Sequence, residues 1–589
     1  MKKLLLLVVA TVMSCATVMG QWNADPAVNM QVWPNESYYS TDMKMAPDGR
    51  VWLAVHHPFH VNDENGQRLY GGITISLQLI DSLGNNCFAE PIVVSNYASR
   101  SHTSCGEFLF VDRDGNAIVA LYDYRQGIEG QEGYTVYKIS PEGEFLWGED
   151  GIVLEGETVY DLVAGMTICQ MTDGSYVMAW MHNQNDNPNL MSIEIQRLTA
   201  EGEMLWNSED VRMYEKNTPY LYPYLVDGSS NTVILLYAKG SSQDLYARKI
   251  DFEGTSVWSE DTPVYNGGWG SIPVWTLLDV HPVDGGGLLV SWNDDRWYEQ
   301  IEHPYMAYVK TNGELGFTME NGQLLSLSEW RALSVRSFYD KASDSFYAIW
   351  KEASSSQAWN RLVVQRISKE GDFLWGDYGI ELKPMEQTDY GYFSMQPAIN
   401  DELAFFYMRN YSGSFGDVES FVTTVNVNDT TLRRESEFTK GSRISEKAGL
   451  QTTPMYDGRY WVTKWTDNGS NQDEVKEDRL LMQRLNYDFT LGAYNADDAV
   501  EAVRNDNNTF VALATMVENE AMFATNFAAA TQATLAIYDV NGVLVATPFD
   551  GVLAAGRQYI EWNANVPAGI YVATLTTAQG VETVKLLVK

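Results

Sequence analysis

The chain has 589 residues, of which 45% are apolar, with 34 Tyr, 18 Trp and 21 Phe but only 18 Pro. This composition excludes a disordered chain and allows several domains or one large repeat domain. The 40 basic and 78 acidic residues give a net charge of −38. So acidic a surface repels phosphate backbones and anionic lipid, which excludes nucleic acid as a partner and an anionic membrane as a docking site.

The first 20 residues have the order of a secretory signal peptide. Two lysines precede the apolar run Leu4–Met13, and small residues follow as far as Gly20. This order predicts cleavage before Gln21, with lipidation at Cys15 as an alternative. No later segment has the roughly 18 consecutive apolar residues that a membrane-spanning helix requires. We therefore expect an exported protein without a transmembrane helix.

Three cysteines follow the predicted signal peptide: Cys87, Cys105 and Cys169. So few cysteines in so long a chain are not a disulfide scaffold, and no C-x-x-C spacing indicates zinc. A bridge between Cys105 and Cys169 stays open, because it requires neighbouring units to bring the two thiols together. We expect the three to be buried as small apolar side chains.

One phrase recurs along the chain at a nearly constant interval. It reads GEFLWGED from Gly143 and GEMLWNSED from Gly202. Equivalent anchors lie at positions 84, 143, 202, 254, 313, 371, 429 and 488, separated by 59, 59, 52, 59, 58, 58 and 59 residues. Phe88 follows the first anchor by four positions, and the aromatic residues in the same place after later anchors are Trp147, Trp206, Trp258, Phe317 and Trp375. Such a period is the signature of a repeat architecture.

Each repeat unit reads as four strands, which we name A to D. Strand B often follows an Asp-Gly pair, as at Asp114-Gly115, and this pair favours tight hairpin turns. Four antiparallel strands repeated radially form propeller blades, so we predict an all-β chain with an eight-bladed β-propeller over residues 21–494 rather than a solenoid. The G-x-x-x-W phrase resembles the tryptophan-docking motif of quinoprotein-type repeats. The resemblance implies that the aromatic residue packs between adjacent blades.

The last two units, anchored at Asp429 and Asp488, lack both the glycine and the aromatic residue of the phrase. The segment Ala27–Trp33 precedes the first strand A, in the position that Asp150–Leu154 occupies before a later unit. We expect this N-terminal segment to add the outer strand of the eighth blade, which would close the ring without an exposed sheet edge.

After a polar linker at residues 495–510, residues 511–589 have a different character. They contain IYDVNG, PAGIY and a terminal KLLVK. This order resembles the type A C-terminal sorting domain of the type IX (Por) secretion system. The residues that carry the resemblance are Tyr538, Asp539, Gly542, Trp562, Gly569, Tyr571, Lys585 and Lys589. It implies a small Ig-like β-sandwich, recognition by an outer-membrane translocon, and release or attachment at the cell surface. An ordinary Ig-like module is the alternative.

Sequence motifs for catalysis or for a cofactor are absent. The chain has no H-E-x-x-H, Walker loop, G-x-S-x-G or sialidase-type box. His56, His57 and His60 lie close together at the end of a strand, where we expect exposed histidines rather than metal ligands. Asp112–Gly115 resembles a calcium loop only in part, and we expect a plain turn there. The sequence thus predicts neither a metal nor a cofactor.

The long loops between strands B and C are the predicted location of function. In a four-stranded meander these loops share one face with the D–A connections, and irregular loops on a rigid scaffold commonly carry binding sites. Aligning the units on strand B gives one equivalent, mostly polar position at the strand end: His57, Asp123, His182, Asn293, Glu352 and Arg409. Aromatic residues that follow it in the loops are Tyr124, Trp297, Tyr298, Trp359 and Tyr411.

Two classes of function are consistent with this face. The favoured one is a surface or secreted binding or adhesion protein that recognises a glycan, a peptide or a protein. The alternative is a secreted hydrolase or lyase that acts on polysaccharide in the central funnel. An enzyme should bring titratable side chains with shifted pKa values together near the axis, whereas a binding module should show an aromatic platform without them.

Overall fold

The computed structural model describes most of the chain between residues 22 and 589. The described ranges are 22–26, 28–33, 40–62, 68–95, 97, 109–123, 133–154, 166–184, 187–207, 211–267, 278–296, 301–399, 401–411, 418–439, 445–470, 479–492, 509–512, 516–517, 520–527, 529–553, 556–578 and 580–589. Every element in them is a β-strand, so the prediction of an all-β chain is confirmed. Within these ranges no helix has the length and hydropathy needed to cross a membrane. The predicted signal peptide lies outside them.

The described strands before the tail form eight antiparallel sheets that follow one another along the chain. Seven of these have four strands and the third has three. The first three are β2 Ser40–Met45, β3 Val51–Asn62, β4 Arg68–Ile80 and β5 Ile92–Val93; β6 Leu109–Val111, β7 Ala117–Asp123, β8 Gly133–Ile139 and β9 Ile152–Val153; and β10 Thr167–Gln170, β11 Tyr176–Gln184 and β12 Asn187–Leu198.

The next three sheets repeat this order of strands. They are β13 Tyr220–Asp227, β14 Thr232–Lys239, β15 Asp244–Asp251 and β16 Thr262–Tyr265; β17 Asp279–Val283, β18 Gly287–Asp294, β19 His303–Val309 and β20 Gln323–Leu324; and β21 Arg331–Asp340, β22 Ser345–Ala353, β23 Asn360–Ile367 and β24 Ile380–Glu386. The last two are β25 Thr388–Pro397, β26 Glu402–Tyr411, β27 Val418–Asn426 and β28 Leu432–Glu437; and β29 Ser445–Thr452, β30 Tyr460–Ser470 and β31 Arg479–Asn486 with β1 Met30–Gln31.

The first strand of each sheet lies at the centre of the arrangement, and we call these eight the inner strands. Successive inner strands contact each other from β10 to β29, and both β29 and β6 contact β2. Arg113, just after β6, donates from Nη1 to the Met171 carbonyl, just after β10, at 2.8 Å. The inner strands therefore enclose a common channel, as in a β-propeller. Its mouth, as we use the word, is the end at which the inner strands begin and the second strands finish.

Apolar side chains fill the space between successive sheets. One cluster joins Ile118 and Val136 of the second sheet to Met178 and Trp180 of the third, and similar clusters join the other neighbours. Each sheet is thus covered on both faces, which explains why its second strand is a nearly continuous buried run. In β11 all nine residues are buried.

The recurring aromatic residue and glycine contact each other across neighbouring sheets. The five predicted docking residues are all at most 9% exposed, which confirms their burial. Trp147 donates from Nε1 to the Ala200 carbonyl at 3.0 Å, and a Cβ at Gly202, where φ is +95°, would lie 2.8 Å from the Trp147 ring. The same contact joins Trp206 to Gly254, Trp258 to Gly313 and Phe317 to Gly371, so the glycine belongs to the following unit, and its missing side chain permits the approach.

The N-terminal segment joins the eighth sheet, as predicted. Met30 pairs with Met482 and Gln31 with Leu481, so β1 is the outer strand of this sheet. Trp22 adds a contact that the sequence did not predict. Its Nε1 donates to the Ser82 carbonyl at 3.0 Å, and a Cβ at Gly84 would lie 2.9 Å from its ring. Trp22 thus takes the docking place that the eighth unit leaves without an aromatic residue.

The tail forms two further sheets around a separate core. Its strands are β32 Thr509–Ala512, β33 Met516–Val517, β34 Glu520–Phe527, β35 Thr531–Asp539, β36 Leu544–Leu553, β37 Gly556–Asn563, β38 Gly569–Thr577 and β39 Gly580–Val588. One sheet has the order β32-β34-β37 and the other β33-β39-β38-β35-β36. The first strand begins at Thr509, inside the predicted linker. Phe523, Leu535 and Trp562 lie in the shared core.

Residues of the sorting motif build a turn and part of this core. The Asp539 carboxylate accepts the backbone N–H groups of Asn541 and Val543 at 2.9 Å, and Gly542 has a φ of 78° in the same turn. Trp562 and Tyr571 are buried with ring centroids 6.0 Å apart. The Tyr571 hydroxyl donates to the Pro567 carbonyl at 2.8 Å. These motif residues therefore have structural contacts in the tail.

The predicted burial of the cysteines and the predicted exposure of the histidines were partly wrong. Cys169 is buried, but Cys87 is exposed, because it lies in the turn after β4 rather than in a strand. His56 is buried between sheets and not exposed. The Asp112–Gly115 segment is a hairpin turn, as predicted, with Gly115 donating to the Asp112 carbonyl at 3.0 Å. Cys105 and the side chain of His60 lie outside the described part.

Candidate functional site

The polar residues predicted at the ends of the second strands do not form an exposed surface. His182, Asn293 and Glu352 are at most 9% exposed, and Arg409 is half-buried in an ion pair with Glu386. His57 Nε2 lies 2.8 Å from the Ser76 hydroxyl. The prediction that these side chains emerge into solvent was wrong for His182, Asn293 and Glu352, because neighbouring sheets cover the strand ends as well as the strand centres.

Glu352 shows what such a residue does. Its carboxylate accepts from Trp350 Nε1 at 3.0 Å, from the Ser328 hydroxyl at 3.0 Å and from Arg361 at 2.7 and 2.9 Å. Its side chain is 1% exposed. Asn293 similarly bridges two sheets, since it accepts the Val335 N–H at 2.9 Å and donates to the Ala332 carbonyl at 3.2 Å. Asn293 therefore joins two neighbouring sheets, whereas Glu352 joins two strands of its own sheet to the segment that precedes β21.

Most of the predicted loop aromatics cannot be placed. Tyr124, Trp297 and Tyr298 lie outside the described residues, as do the side chains of Asp123 and Tyr411. Trp359 is described, and it is 47% exposed in the loop after β22. It satisfies the prediction of an exposed aromatic residue on this face.

Two further aromatic residues near Trp359 were not predicted. Trp330 is 45% exposed and immediately precedes the inner strand β21. Because Arg331 pairs with Ala353, Trp330 comes next to Ser354, whose N–H donates to the Trp359 carbonyl at 2.9 Å. Tyr392, 55% exposed, lies on the inner strand of the adjacent sheet. The mouth thus has three exposed aromatic rings on two neighbouring sheets.

Four inner strands carry a β-bulge at the same register. The pairing shifts between Leu221 and Tyr224, between Leu333 and Arg336, between Gly391 and Ser394 and between Ala448 and Gln451. One residue of each bulge has a positive φ: Tyr222, Ser334, Tyr392 and Gly449. Bulges redirect side chains, and non-glycine residues at positive φ are strained positions that concentrate at functional sites. The bulges therefore mark the channel mouth as a candidate site.

An aspartate and a histidine form a pair between two of the bulged strands. On β17, His281 Nε2 lies 3.0 Å from Asp279 Oδ2, and the two side chains are 37% and 19% exposed. Asp279 Oδ2 also accepts the Ser337 N–H at 2.6 Å and faces its hydroxyl at 3.3 Å. Asp279 is therefore fixed by the next inner strand, whereas His281 retains access to solvent in the channel.

The charges around this pair come from two more inner strands, β2 and β21. Burial alone would raise the pKa of Asp279, but the His281 imidazole, the Arg336 guanidinium and the Ser337 N–H hold it below its usual range. Burial alone would lower the pKa of His281, but Asp279 raises it above its ordinary value, against weaker opposing effects of Arg336 and Lys44. Lys44 lies on β2, four sheets away around the ring, so its charge acts across the channel.

Tyr224 completes the group. It is the first paired residue after the bulge of β13, the place that Arg336 has after the bulge of β21. Burial raises the pKa of the Tyr224 hydroxyl, Asp279 adds to this rise, and Arg336 opposes it. Tyr224, Asp279, His281 and Arg336 thus come from three consecutive inner strands.

A second titratable group lies in the same ring, on a second strand. Lys464 on β30 is 3% exposed and donates to the Thr41 hydroxyl at 2.8 Å. Burial lowers its pKa to about 8, although the nearby Asp42 carboxylate opposes this. Asp42 itself accepts from Gln451 Nε2 at 2.7 Å. This amine is enclosed between the first and eighth sheets.

The other end of the channel has a different character. A cleft of about 510 Å³ lies among the turns after β2, β6 and β29 and is lined by Met45–Pro47, Val111–Arg113 and Pro454–Asp457. The Arg113 side chain in it is held by the Gln170 and Met171 carbonyls. Among the described residues, no group of three or more His, Cys, Asp or Glu side chains has the arrangement of a metal site.

The sequence matches no protein-family model and no curated protein in the comparisons. Among solved structures it is similar to the polysaccharide lyase Uly1, with 12% identity over 68% of this chain and 94% of that one and a TM-score of 0.36. It is also similar to the Dos1 propeller (12% identity, 77% and 95% coverage, TM-score 0.37). A third is the α-L-arabinanase of Penicillium chrysogenum (13%, 60% and 97%, 0.33). These values describe a distant likeness, so the function has to be argued from the side chains of this chain.

Proposed function

We propose that this protein is an exported polysaccharide-active enzyme whose reaction takes place in the channel. The observation that carries the proposal is the Asp279–His281 pair, with a distance of 3.0 Å between carboxylate and imidazole. A histidine oriented by a carboxylate is a common acid–base group, because its pKa lies near neutral pH. Asp279 would act as the positioning residue and His281 as the catalytic one.

The aromatic residues favour a sugar chain as the substrate. Trp330, Trp359 and Tyr392 are exposed beside the mouth, and flat rings next to polar groups are common platforms for sugar rings. A glycan that stacks on them would enter the channel from the side of β21 and β25. An adhesion protein would use the same platform without turnover, and that is the second candidate function.

The finer architecture is also a proposal. We take the eight sheets as eight blades of one β-propeller, in which β1 and Trp22 join the chain ends at the eighth blade. We take the two sheets of the tail as an Ig-like β-sandwich. A closed ring explains why neighbouring inner strands contact each other in sequence order, since no sheet is then left with an open face.

For export we propose the route that the tail resembles. The N-terminal segment would direct passage through the inner membrane, and the tail would be recognised by the type IX translocon, leaving the protein at the cell surface or outside the cell. A chain without residues 509–589 should keep a folded propeller and accumulate in the periplasm. Fractionation decides this, and a truncated chain that still reaches the surface would contradict it.

Activity of the full chain on a panel of neutral and acidic polysaccharides tests the enzymatic function. His281→Asn should lower the rate by at least about 100-fold, because acid–base groups contribute on this scale. Its melting temperature should stay unchanged. Asp284→Asn is the control, because this exposed carboxylate follows the same strand at the far end of the channel.

Binding of a polysaccharide without any cleavage, and with equal affinity for the His281→Asn variant, would instead support the adhesion function. If His281→Asn did not fold, the same activity assay would be made with Asp279→Asn, which preserves the shape of the side chain.

A further inference from the structure

We infer that the channel takes an acidic polysaccharide with uronate sugars and cleaves it by β-elimination. This inference rests on the proposed enzymatic function and names its substrate class and reaction. It is carried by the Arg336 guanidinium close to His281, by the Tyr224 hydroxyl on the other neighbouring inner strand, and by the bulges that precede these two residues.

Arg336 has the free donors that an anionic ligand needs. Its Nη1 donates to the Val335 carbonyl at 3.2 Å, and no described carboxylate lies within salt-bridge distance of its guanidinium. Elsewhere in the described chain arginines are commonly paired, as Arg361 is with Glu352 and Glu381. A half-buried guanidinium without a carboxylate partner is suited to bidentate recognition of a carboxylate from outside the protein.

The position of Arg336 is notable in so acidic a chain. The net charge is −38, yet the inner strands place Arg336 and Lys44 close enough to His281 for both charges to lower its pKa. Asp279 is already engaged with His281 and Ser337. The channel therefore offers the Arg336 guanidinium to an anion, against the overall charge of the protein.

The chemistry of uronates matches this set of groups. Neutralising the sugar carboxylate makes the C5 proton more acidic, because charge that develops on the carboxylate during its removal is stabilised. His281 in its neutral form takes this proton at Nδ1, since Nε2 faces Asp279. The electron pair forms the C4=C5 double bond as the C4–O bond breaks. The Tyr224 hydroxyl gives its proton to the leaving oxygen, which balances the step without any other reactant.

The protonation states fit these roles. Burial and Asp279 raise the pKa of Tyr224, so its hydroxyl holds its proton at neutral pH and above. Asp279 raises the pKa of His281 above its ordinary value, whereas Arg336 and Lys44 oppose this. Because the reaction requires neutral His281, activity should rise with pH through this raised pKa and be greatest on the alkaline side.

The test uses the full chain with polygalacturonate, alginate and hyaluronan, with their carboxyl-reduced forms, and with neutral arabinan and galactan. Elimination creates a conjugated double bond that absorbs in the ultraviolet, and hydrolysis does not. We expect absorbing products from at least one uronate polymer and none from its carboxyl-reduced form. Arg336→Gln should lower kcat/KM by about 100-fold. Lys341→Gln, at the far end of β21, should have no effect.

Each of the other outcomes contradicts one part of this inference or the proposed function. Cleavage of a neutral polysaccharide without absorbing products would overturn the elimination and leave the proposed function intact. Absorbing products whose rate is unchanged in both Arg336→Gln and Tyr224→Phe would overturn the assigned groups. Failure to cleave any acidic or neutral polysaccharide would overturn the proposed function itself.

Discussion

Two sets of polar residues on the same sheets have opposite surroundings. At the ends of the second strands, Asn293 and Glu352 are almost completely buried and hydrogen-bonded to other protein groups. On the inner strands, Asp279 and His281 are paired with each other but still reach solvent, and Arg336 has no described carboxylate partner. Polar residues within a few positions of each other in the register therefore serve stability in one place and are available for chemistry in the other.

The difference follows from the position of each strand in its sheet. A second strand has neighbours on both edges and sheets on both faces, so a polar side chain on it must be satisfied by protein. An inner strand has one free edge towards the channel. The bulges then break the pairing locally and turn Tyr222, Ser334 and Tyr392 to positive φ. The cost of this strain is consistent with a site whose geometry is under selection for function.

The largest expected effect comes from a buried strand end. Glu352→Gln should lower the free energy of unfolding by about 3 kcal/mol, because Arg361, Trp350 and Ser328 lose the charge that they share. Asp279→Asn should cost less than about 1 kcal/mol, since the side chain is partly solvated and Asn can still accept from Ser337. Urea unfolding of both variants measures this. Equal losses would mean that the two regions do not differ as described.

A glycine pair extends the contrast to the outer edge of the sheets. Gly148 and Gly202 both have positive φ, but a Cβ at Gly148 meets nothing within 4 Å, whereas one at Gly202 would lie 2.5 Å from Ile152 and 2.8 Å from Trp147. Gly148→Ala should cost about 1 kcal/mol from the backbone alone. Gly202→Ala should cost about 3 kcal/mol, because overpacking is added. Equal costs in thermal unfolding would show that the docking contact contributes no stability.

The docking contacts and the bulges also show which features the sequence can predict and which it cannot. The period of about 59 residues predicts the sheets, the buried docking residues and the added strand β1, because each depends on a pattern repeated in every unit. No residue pattern common to the four strands marks the bulges, and the positive φ of Tyr222 depends on the pairing of β13 with β14. Glu352 appeared exposed because its partners Ser328 and Arg361 come from other parts of the chain. Trp22 lies too far from its unit to be recognised.

The buried lysine gives a smaller effect with a defined dependence on pH. Burial lowers the folded pKa of Lys464 to about 8, against an ordinary value of about 10.4 in the unfolded chain. Between these values the unfolded state binds more protons, so the free energy of unfolding should rise with pH, and below pH 8 the full penalty of about 3 kcal/mol applies.

Lys464→Met should therefore stabilise the protein by about 2 kcal/mol at pH 7, after the loss of the hydrogen bond to Thr41. It should also flatten the rise in stability between pH 8 and pH 10. Lys341→Met is the control, because that side chain is 78% exposed. If the pH dependence of unfolding were the same in the wild type and in Lys464→Met, the amine would not be desolvated in the ring.

The smallest expected effect concerns the exposed aromatic ring of Trp359. Trp359 makes backbone contacts with Ser354 but leaves its ring 47% exposed, so Trp359→Ala should not change the melting temperature. It should weaken the binding of a polysaccharide found in the activity panel by about 1 kcal/mol, the usual contribution of an exposed aromatic ring at a binding surface. Calorimetric titration of the inactive His281→Asn variant measures binding without turnover. Tyr378→Ala is the matched control, because that ring is 59% exposed between β23 and β24, at the outer edge of its sheet. If Tyr378→Ala weakened binding and Trp359→Ala did not, the ligand would meet the outer edge of the ring, and the channel mouth would lose its role.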